Sequence, residues 1–221
     1  IQALYSRYLS GPVFHAKGRD GNWGDMEWQH RNWYSFVWIC GDQIVEQHFH
    51  NIDFICWVMG THPVKVAASG GISWRKGQEL YGNIYDHMAS EFEFANGVRY
   101  TSHCRQYPRG CFSEVSDMVV GSKGSSKGTD LATEQGINPY VQEHTNLANS
   151  IRGTGPYENQ GMAIAESTMT CIMGRESAYS GEMVTWDRIM ASQLDLQPKA
   201  FDYKLKMADG EVPQPGKYKL I

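Results

Sequence analysis

The chain has 221 residues, with 24 acidic and 20 basic side chains and a formal charge of −4. That length buries a good core as one large domain or two small ones, and the charge offers no basic footprint for nucleic acid. No apolar run approaches the roughly 18 residues that a membrane-spanning helix needs.

The opening stretch QALYSRYLS alternates, with Ala3, Tyr5, Arg7 and Leu9 against Leu4, Ser6 and Tyr8, and it predicts a strand already under way at Ile1. Gly, Asp and Asn crowd Lys17 to Asp25 and predict a loop. Trp23, Trp28, Trp33 and Trp38 then recur every five residues, so four of the seven tryptophans fall here. Met26 to Gly41 is expected to be loop and short helix. Its rings, beside Asp25, Arg31 and Asn32, suit stacking on sugar faces while the polar groups bond hydroxyls. Equally they suit covering the core where a long loop crosses it.

Gly41 to Gly60, GDQIVEQHFHNIDFICWVMG, predicts one buried helix with a narrow polar stripe. On a 3.6-residue wheel Val45, Phe49, Ile52, Cys56 and Met59 share a face, flanked by Ile44, His48 and Ile55. Phe54 and Val58 make the far side apolar too. Glu46, His50 and Asp53 fall at i, i+4 and i+7, which stacks an imidazole between two carboxylates. Buried charge without partners costs several kcal/mol or shifts its protonation. The stripe is therefore either a proton-transfer unit in a cleft or a structural polar network. A metal centre built on Glu46, His48, His50 and Asp53 is disfavoured, because His48 and His50 sit roughly 200° apart on a helix.

Pro63 to Ser69 predicts a strand that Gly70-Gly71 ends. Asp86 to Phe94 and Val98 to Tyr107 predict a hairpin around Asn96-Gly97. A three-residue loop with Gly97 left-handed pairs Phe94 with Val98, Glu93 with Arg99 and Phe92 with Tyr100, matching apolar with apolar and acid with base. Glu114 to Gly121 continues the sheet, the Ser/Gly/Lys run after it is a turn, and sheet-like sequence resumes near Asp130. Pro139 starts a helix to about Arg152, stopped by Gly153 and Pro156. Glu158 to Tyr179 gives another, with Ala163, Ile164, Ser167, Cys171 and Gly174 near one face and Gly181 as terminator. Thr185 caps a short helix, Trp186 to Ser192. His144 is set aside as a structural helix residue. Beyond Gln197 an extended tail is expected. The five cysteines, Cys40, Cys56, Cys104, Cys111 and Cys171, form neither a disulfide framework nor a C-x-x-C pair and are read as reduced thiols. Together these elements predict an α+β fold, a largely antiparallel sheet with helices mainly on one face, in a single domain over residues 1–221.

The Gly41–Gly60 stretch resembles the C-terminal domain of the Gfo/Idh/MocA family, the glucose–fructose oxidoreductase and inositol dehydrogenase group. There a glycine-led helix carries an acidic residue, a histidine four residues on, a His-Asp-Ile-Asp run and a Trp near its end. The matching residues are Glu46, His50, Asn51-Ile52-Asp53 and Trp57. Glu46 stands where Asp is more usual, lengthening the reach by one methylene, and Asn51 stands where Asp is common. Likeness continues through Tyr81 to Arg99, Pro139 to Gly153 and Ala165 to Gly181.

The resemblance implies catalytic roles for His50, which takes a hydroxyl proton, and Glu46, which tunes or orients it. It implies substrate contacts at Arg31, Trp33, Tyr34, Asp53 and Tyr85, with Arg31 to Tyr34 similar to an "RNW" segment of sugar-active relatives. The implied activity is NAD(P)-dependent oxidation or reduction of a secondary alcohol of a sugar or polyol. A redox-neutral variant, an NAD-dependent glycosidase working by transient oxidation, is the alternative. A non-catalytic carbohydrate-binding or oligomerisation module is another. The G-x-G-x-x-G fingerprint of a Rossmann domain is absent. NAD or NADP is therefore expected on an N-terminal domain outside this chain, which by itself is expected to be inactive and to hold no metal. The family also implies a homodimer or homotetramer through the second sheet face. Neither nucleic acid nor membrane is expected as a partner. Compartment stays open between cytoplasm and, given an export signal upstream, periplasm.

Overall fold

The computed structural model describes residues 1–12, 16–131 and 137–221. Among them seven strands form one sheet: β1 (Ala3–Ser10), β2 (Lys65–Gly71), β3 (His87–Glu93), β4 (Arg99–Gln106), β5 (Glu114–Gly121), β6 (Gly124–Ser126) and β7 (Val184–Thr185). Their order is β6-β5-β1-β4-β3-β2-β7, and every pair is antiparallel except β1 beside β4. The sheet is thus largely antiparallel, as the alternation predicts.

The β3–β4 hairpin takes the register argued from its side chains. Phe92 faces Tyr100, Glu93 faces Arg99, and Phe94 N–H donates to Val98 O at 2.9 Å. Gly97 is left-handed at φ 81°, and Glu93 forms ion pairs with both Arg99 and Lys65. Alternation then sorts the two faces. Leu4, Met88, Phe92, Tyr100 and Cys104 are buried on one, while Tyr5, Arg7, Glu91 and His103 are exposed on the other.

Helices pack on the buried face, chiefly the third, fourth and seventh in chain order. In chain order they are α1 (Asp25–Arg31), a 3₁₀ turn (Trp33–Ser35), α2 (Val37–Cys40), α3 (Gln43–Glu46), α4 (Phe49–Met59), α5 (Gln78–Tyr81), a 3₁₀ turn (Thr129–Leu131), α6 (Pro139–Arg152), α7 (Gly161–Ser180) and α8 (Trp186–Met190). α7 lies on β2 and β3, with α3 and α4 beside it. Ser167, Cys171 and Gly174 of α7 are buried as its face predicts, but Ala163 and Ile164 are exposed, because its first turns overhang the sheet. α6 is capped by Asn138 and ended by left-handed Gly153, and no residue of it is buried. Thr185 caps α8 through Arg188 N–H. Near Asp130 the chain makes the second 3₁₀ turn instead of resuming the sheet, and residues 132–136 lie outside the described residues.

The Ser/Gly/Lys run expected to be a turn holds β6, and a larger expectation is also overturned. Gly41 to Gly60 is not one uniform helix. Gly41 and Asp42 both take positive φ, 74° and 77°, and make a corner before α3. Gln47 and His48 then open a wide turn, in which both of their amides donate to Gln43 O at 3.0 Å. The His48 bond is an i→i−5 link of the kind found in π-bulges, which are frequent at functional sites. It offsets the phase between α3 and α4, so a 100° wheel carried through the whole stretch misplaces residues on either side.

The segment beyond Gln197 is extended, as composition predicts, yet it is bound along its length. Arg19 pairs with Asp209 at 2.6 Å, Gln29 donates to Ala208 O at 3.1 Å, and Met207 N–H to Asp25 at 3.0 Å. Further on, Tyr85 donates to Pro213 O, and Tyr218 to Glu176, each at 2.7 Å. It is a strap across the helical layer.

Candidate functional site

The corner residue Asp42 positions α3. Its buried carboxylate accepts from Gln43 N–H at 2.5 Å, from Tyr85 N–H at 2.9 Å and from the Tyr179 hydroxyl. Burial pushes the Asp42 pKa up against those three donors, so the positive-φ backbone is held by bonds that only an acceptor of this shape supplies. Gly41 is required beside it, since a Cβ there would lie 2.8 Å from Val45 Cβ.

Glu46 closes α3 and is half-buried. Its Oε2 is fully covered and has no hydrogen-bond partner among the described residues. Burial, and after it the charge of Glu46, raises the pKa values of the Tyr8 and Tyr34 phenols. Tyr8 in turn donates to Gln47 Oε1 at 2.5 Å, tying β1 to the bulge.

His48 faces the sheet. It is fully buried, with Nδ1 3.2 Å from Asn51 Oδ1 and Nε2 2.6 Å from Ser102 Oγ. Asn51 donates from Nδ2 to Asp117 at 2.9 Å, which turns its Oδ1 toward Nδ1, and Ser6 donates to the other Asp117 oxygen at 2.5 Å. Nδ1 therefore carries the proton and Nε2 accepts from Ser102. Burial pulls the His48 pKa down to about 4, so the ring is neutral at pH 7. His48 pins the first turn of α4 to β4, β1 and β5.

His50, two residues on, is exposed. Asp53 follows on α4 and is half-buried, while Trp57 near the helix end is 69% exposed with Phe54 5.9 Å away. No hydrogen bond joins His50 to Glu46 or Asp53 among the described residues. The bulge falls between Glu46, which closes α3, and His50 and Asp53, which both follow on α4.

The predicted substrate contacts divide. Tyr34 is buried, and its hydroxyl accepts from Gln106, whose other amide atom accepts from Arg75. Arg31 is exposed, bonded to Glu27 at 2.8 Å, with its guanidinium 4.7 Å from the Trp23 ring centre. Trp33 is half-buried against the core, edge-on to Tyr34 at 5.4 Å. Tyr85 is a core residue, 1% exposed and edge-on to Tyr179, so in this structure it presents no surface to a ligand. Trp28 is likewise buried.

Sequence reasoning missed Arg75, Gln106 and Tyr8. Arg75 is 5% exposed, burial pulls its pKa down, and its Nε is covered without a partner among the described residues. It lies in a Gly- and Lys-rich loop, where no periodicity marks a buried cation. Asp86 fixes that loop: its fully buried carboxylate accepts from the amides of Ser73, Trp74 and Arg75 at 2.8–3.1 Å. Burial pushes the Asp86 pKa up, but the bonds from His87 and these amides outweigh it and hold it below the usual carboxylate range.

Four cysteines are buried and Cys111 is exposed, all as free thiols. Among the described residues no three His, Cys, Asp or Glu side chains are placed to hold a metal, and no helix is long and apolar enough to cross a membrane.

A family model, GFO/IDH/MocA C-terminal domain, matches residues 2–127. No curated protein matches. Several solved structures are similar in fold. Myo-inositol 2-dehydrogenase from Lactobacillus plantarum is 16% identical at TM-score 0.57, covering 84% of this chain and 56% of its own. A myo-inositol dehydrogenase from Corynebacterium glutamicum is 16% identical at TM-score 0.56, covering 84% and 56%. The WlbA dehydrogenase from Bordetella pertussis, in complex with NADH and UDP-GlcNAcA, is 16% identical at TM-score 0.58, covering 83% and 54%. The chain thus spans a little over half the length of each.

Proposed function

This chain belongs to the GFO/IDH/MocA C-terminal domain family, and we propose that it is the substrate-binding and catalytic half of an NAD- or NADP-dependent oxidoreductase acting on a secondary alcohol of a sugar or polyol. The observation that carries this is the exposed imidazole of His50 directly after the bulge, with Glu46 closing the helix before it and keeping one buried oxygen without a hydrogen-bond partner among the described residues.

The described residues contain no glycine-rich phosphate cradle between a strand and a helix, so no residue here is assigned to the dinucleotide. A Rossmann domain elsewhere in the polypeptide would hold it, and when bound the nicotinamide supplies the hydride chemistry. This chain's residues do the rest. An imidazole nitrogen of His50 takes the hydroxyl proton in the oxidative direction and returns it in the reductive one. Glu46, before the bulge, orients the imidazole or holds a neighbouring hydroxyl. Asp53, Arg31 and Trp33 are proposed substrate contacts. Asn51, through His48 and Asp117, keeps the first turn of α4 rigid so that His50 is presented at one angle.

The second sheet face is proposed to pack on another copy. Tyr5 and Met118 are cross-strand partners there, 46% and 37% exposed.

His50→Ala in the complete protein should lower turnover by roughly 10²–10⁴-fold and leave nicotinamide affinity nearly unchanged. Steady-state kinetics in which His50→Ala turns over near the wild-type rate would reject the assignment.

A further inference from the structure

A second imidazole is built more rigidly than His50. His87 opens β3, and its Nδ1 lies 2.7 Å from Oδ1 of the fully buried Asp86. An ionised carboxylate only accepts, so Nδ1 carries the proton and Nε2 is left as the basic atom. The ring is 39% exposed, and among the described residues Nε2 has no hydrogen-bond partner. Across the sheet the facing residue is Gly71, where a Cβ would come within 3.7 Å of the ring. Glycine there leaves the imidazole uncovered. The orienting carboxylate cannot swing away, because three backbone amides and the Ser73 hydroxyl also hold it. A base whose rotamer and tautomer are both fixed, on a partly exposed ring, is the geometry of an acid/base dyad.

Its surroundings suit a hydroxyl ligand. Tyr107 stands edge-on to the ring at 6.3 Å. Arg105, the cross-strand partner of His87, has its guanidinium 4.7 Å from the Tyr107 ring centre and donates to Phe112 O at 2.5 Å. Asp86, Arg105 and Tyr107 are thus the titratable groups that these contacts place around His87. By alternation the His87 ring shares the sheet face of Arg7 and His103, opposite the helical layer that carries Glu46. Gln106 N–H donates to Asp86 O at 2.9 Å, while the Gln106 side chain bonds the Tyr34 hydroxyl on the helical side of the sheet. Tyr5, on the same face, pairs with Thr101, four residues or about 13 Å along β4 from Arg105, so the dyad stands to one side of the proposed subunit contact at Tyr5 and Met118.

We propose that Asp86 and His87 form a second acid/base dyad, in which Nε2 of His87 accepts the proton of a substrate hydroxyl at the β3–β4 end of the sheet. The O–H bond breaks, the proton passes to Nε2, and the resulting imidazolium is neutralised by Asp86. The oxygen keeps the electron pair, and return of the proton from Nε2 to the same oxygen restores the O–H bond. No oxidant is needed for this step. Only the sugar or polyol identity of the ligand rests on the dehydrogenase assignment.

Two measurements on the complete protein test it. Carbethoxylation by diethylpyrocarbonate, mapped by mass spectrometry, reads the nucleophilicity of each histidine without a substrate. His87 should react at least several-fold faster than His144, whose side chain is 78% exposed. Separately, His87→Ala should lower nicotinamide-dependent turnover tenfold or more, and added imidazole should restore part of it, which a purely structural histidine would not allow. His87 reacting no faster than His144, or His87→Ala keeping turnover within twofold of wild type, would overturn the dyad. A wild-type protein with no nicotinamide-dependent turnover on polyols or sugars would count against the dehydrogenase function instead, and carbethoxylation alone would then decide the dyad.

Discussion

Acidification from pH 7 to pH 4 isolates the part His48 plays in stability. Its folded pKa is about 4, against an ordinary value of 6.5, because burial disfavours the charged ring. Above pH 6.5 the ring is neutral in both folded and unfolded chains, and it adds no pH dependence. Between pH 6.5 and 4 the unfolded chain binds a proton that the folded one refuses, so stability falls as pH falls, by about 1.4 kcal/mol per pH unit. Below pH 4 both states are protonated and the loss stops. Across the window it amounts to about 3 kcal/mol, a large share of a typical 5–15 kcal/mol domain stability. Carboxylates titrate in the same range, so the measurement is a difference. His48→Gln keeps one donor and one acceptor for Asn51 and Ser102 but cannot titrate. Urea unfolding at pH 7, 6, 5 and 4 should show wild type losing about 3 kcal/mol more than His48→Gln over the series. Parallel curves for the two proteins would refute the buried neutral imidazole.

Gly41→Ala should destabilise by about 2–4 kcal/mol, combining a left-handed residue with a clash on Val45, whereas Gly60→Ala, also left-handed but with open space around it, should cost only about 1–2 kcal/mol. Equal shifts in Tm for the two would show that the corner at Gly41 is not tightly packed. Tyr5→Glu should convert a self-associated protein to monomer in light scattering, through a charge placed on the proposed subunit face. An unchanged mass would locate the contact elsewhere, and a wild type that is already monomeric would remove it.

The parts of the fold written in local rules could be read from the residues. The β3–β4 register followed from three cross-strand pairs, and α6 from Pro139 and Gly153, because each signal is carried by neighbours in sequence or directly across a turn. The bulge at Gln47–His48 could not be read, since a wheel assumes a constant step and the offset comes from one amide choosing the carbonyl five residues back. Tyr85 shows a different limit. The resemblance implied a ligand contact there, but Tyr179 and the strap enclose the ring. His87 went unremarked for a similar reason: an Asp-His pair at a strand start becomes a dyad only when loop 73–75 folds back to lock the carboxylate.

The strap also bears on the order in which the molecule is assembled. Arg19 and Asp209 are 190 positions apart, and Gln29 and Ala208 are 179 apart, so these contacts close the longest loops in the chain. The loop-closure cost grows only logarithmically, but it must be met before any contact repays it, and non-local pairings of this span form late. α1 and α7 have to be in place before the strap has anything to lie on. Contacts absent from the folding transition state act on the reverse rate. The strap is therefore a brake on unfolding: loosening it at Tyr218 or Asp209 shortens the lifetime of the folded domain while leaving the speed of its formation almost untouched.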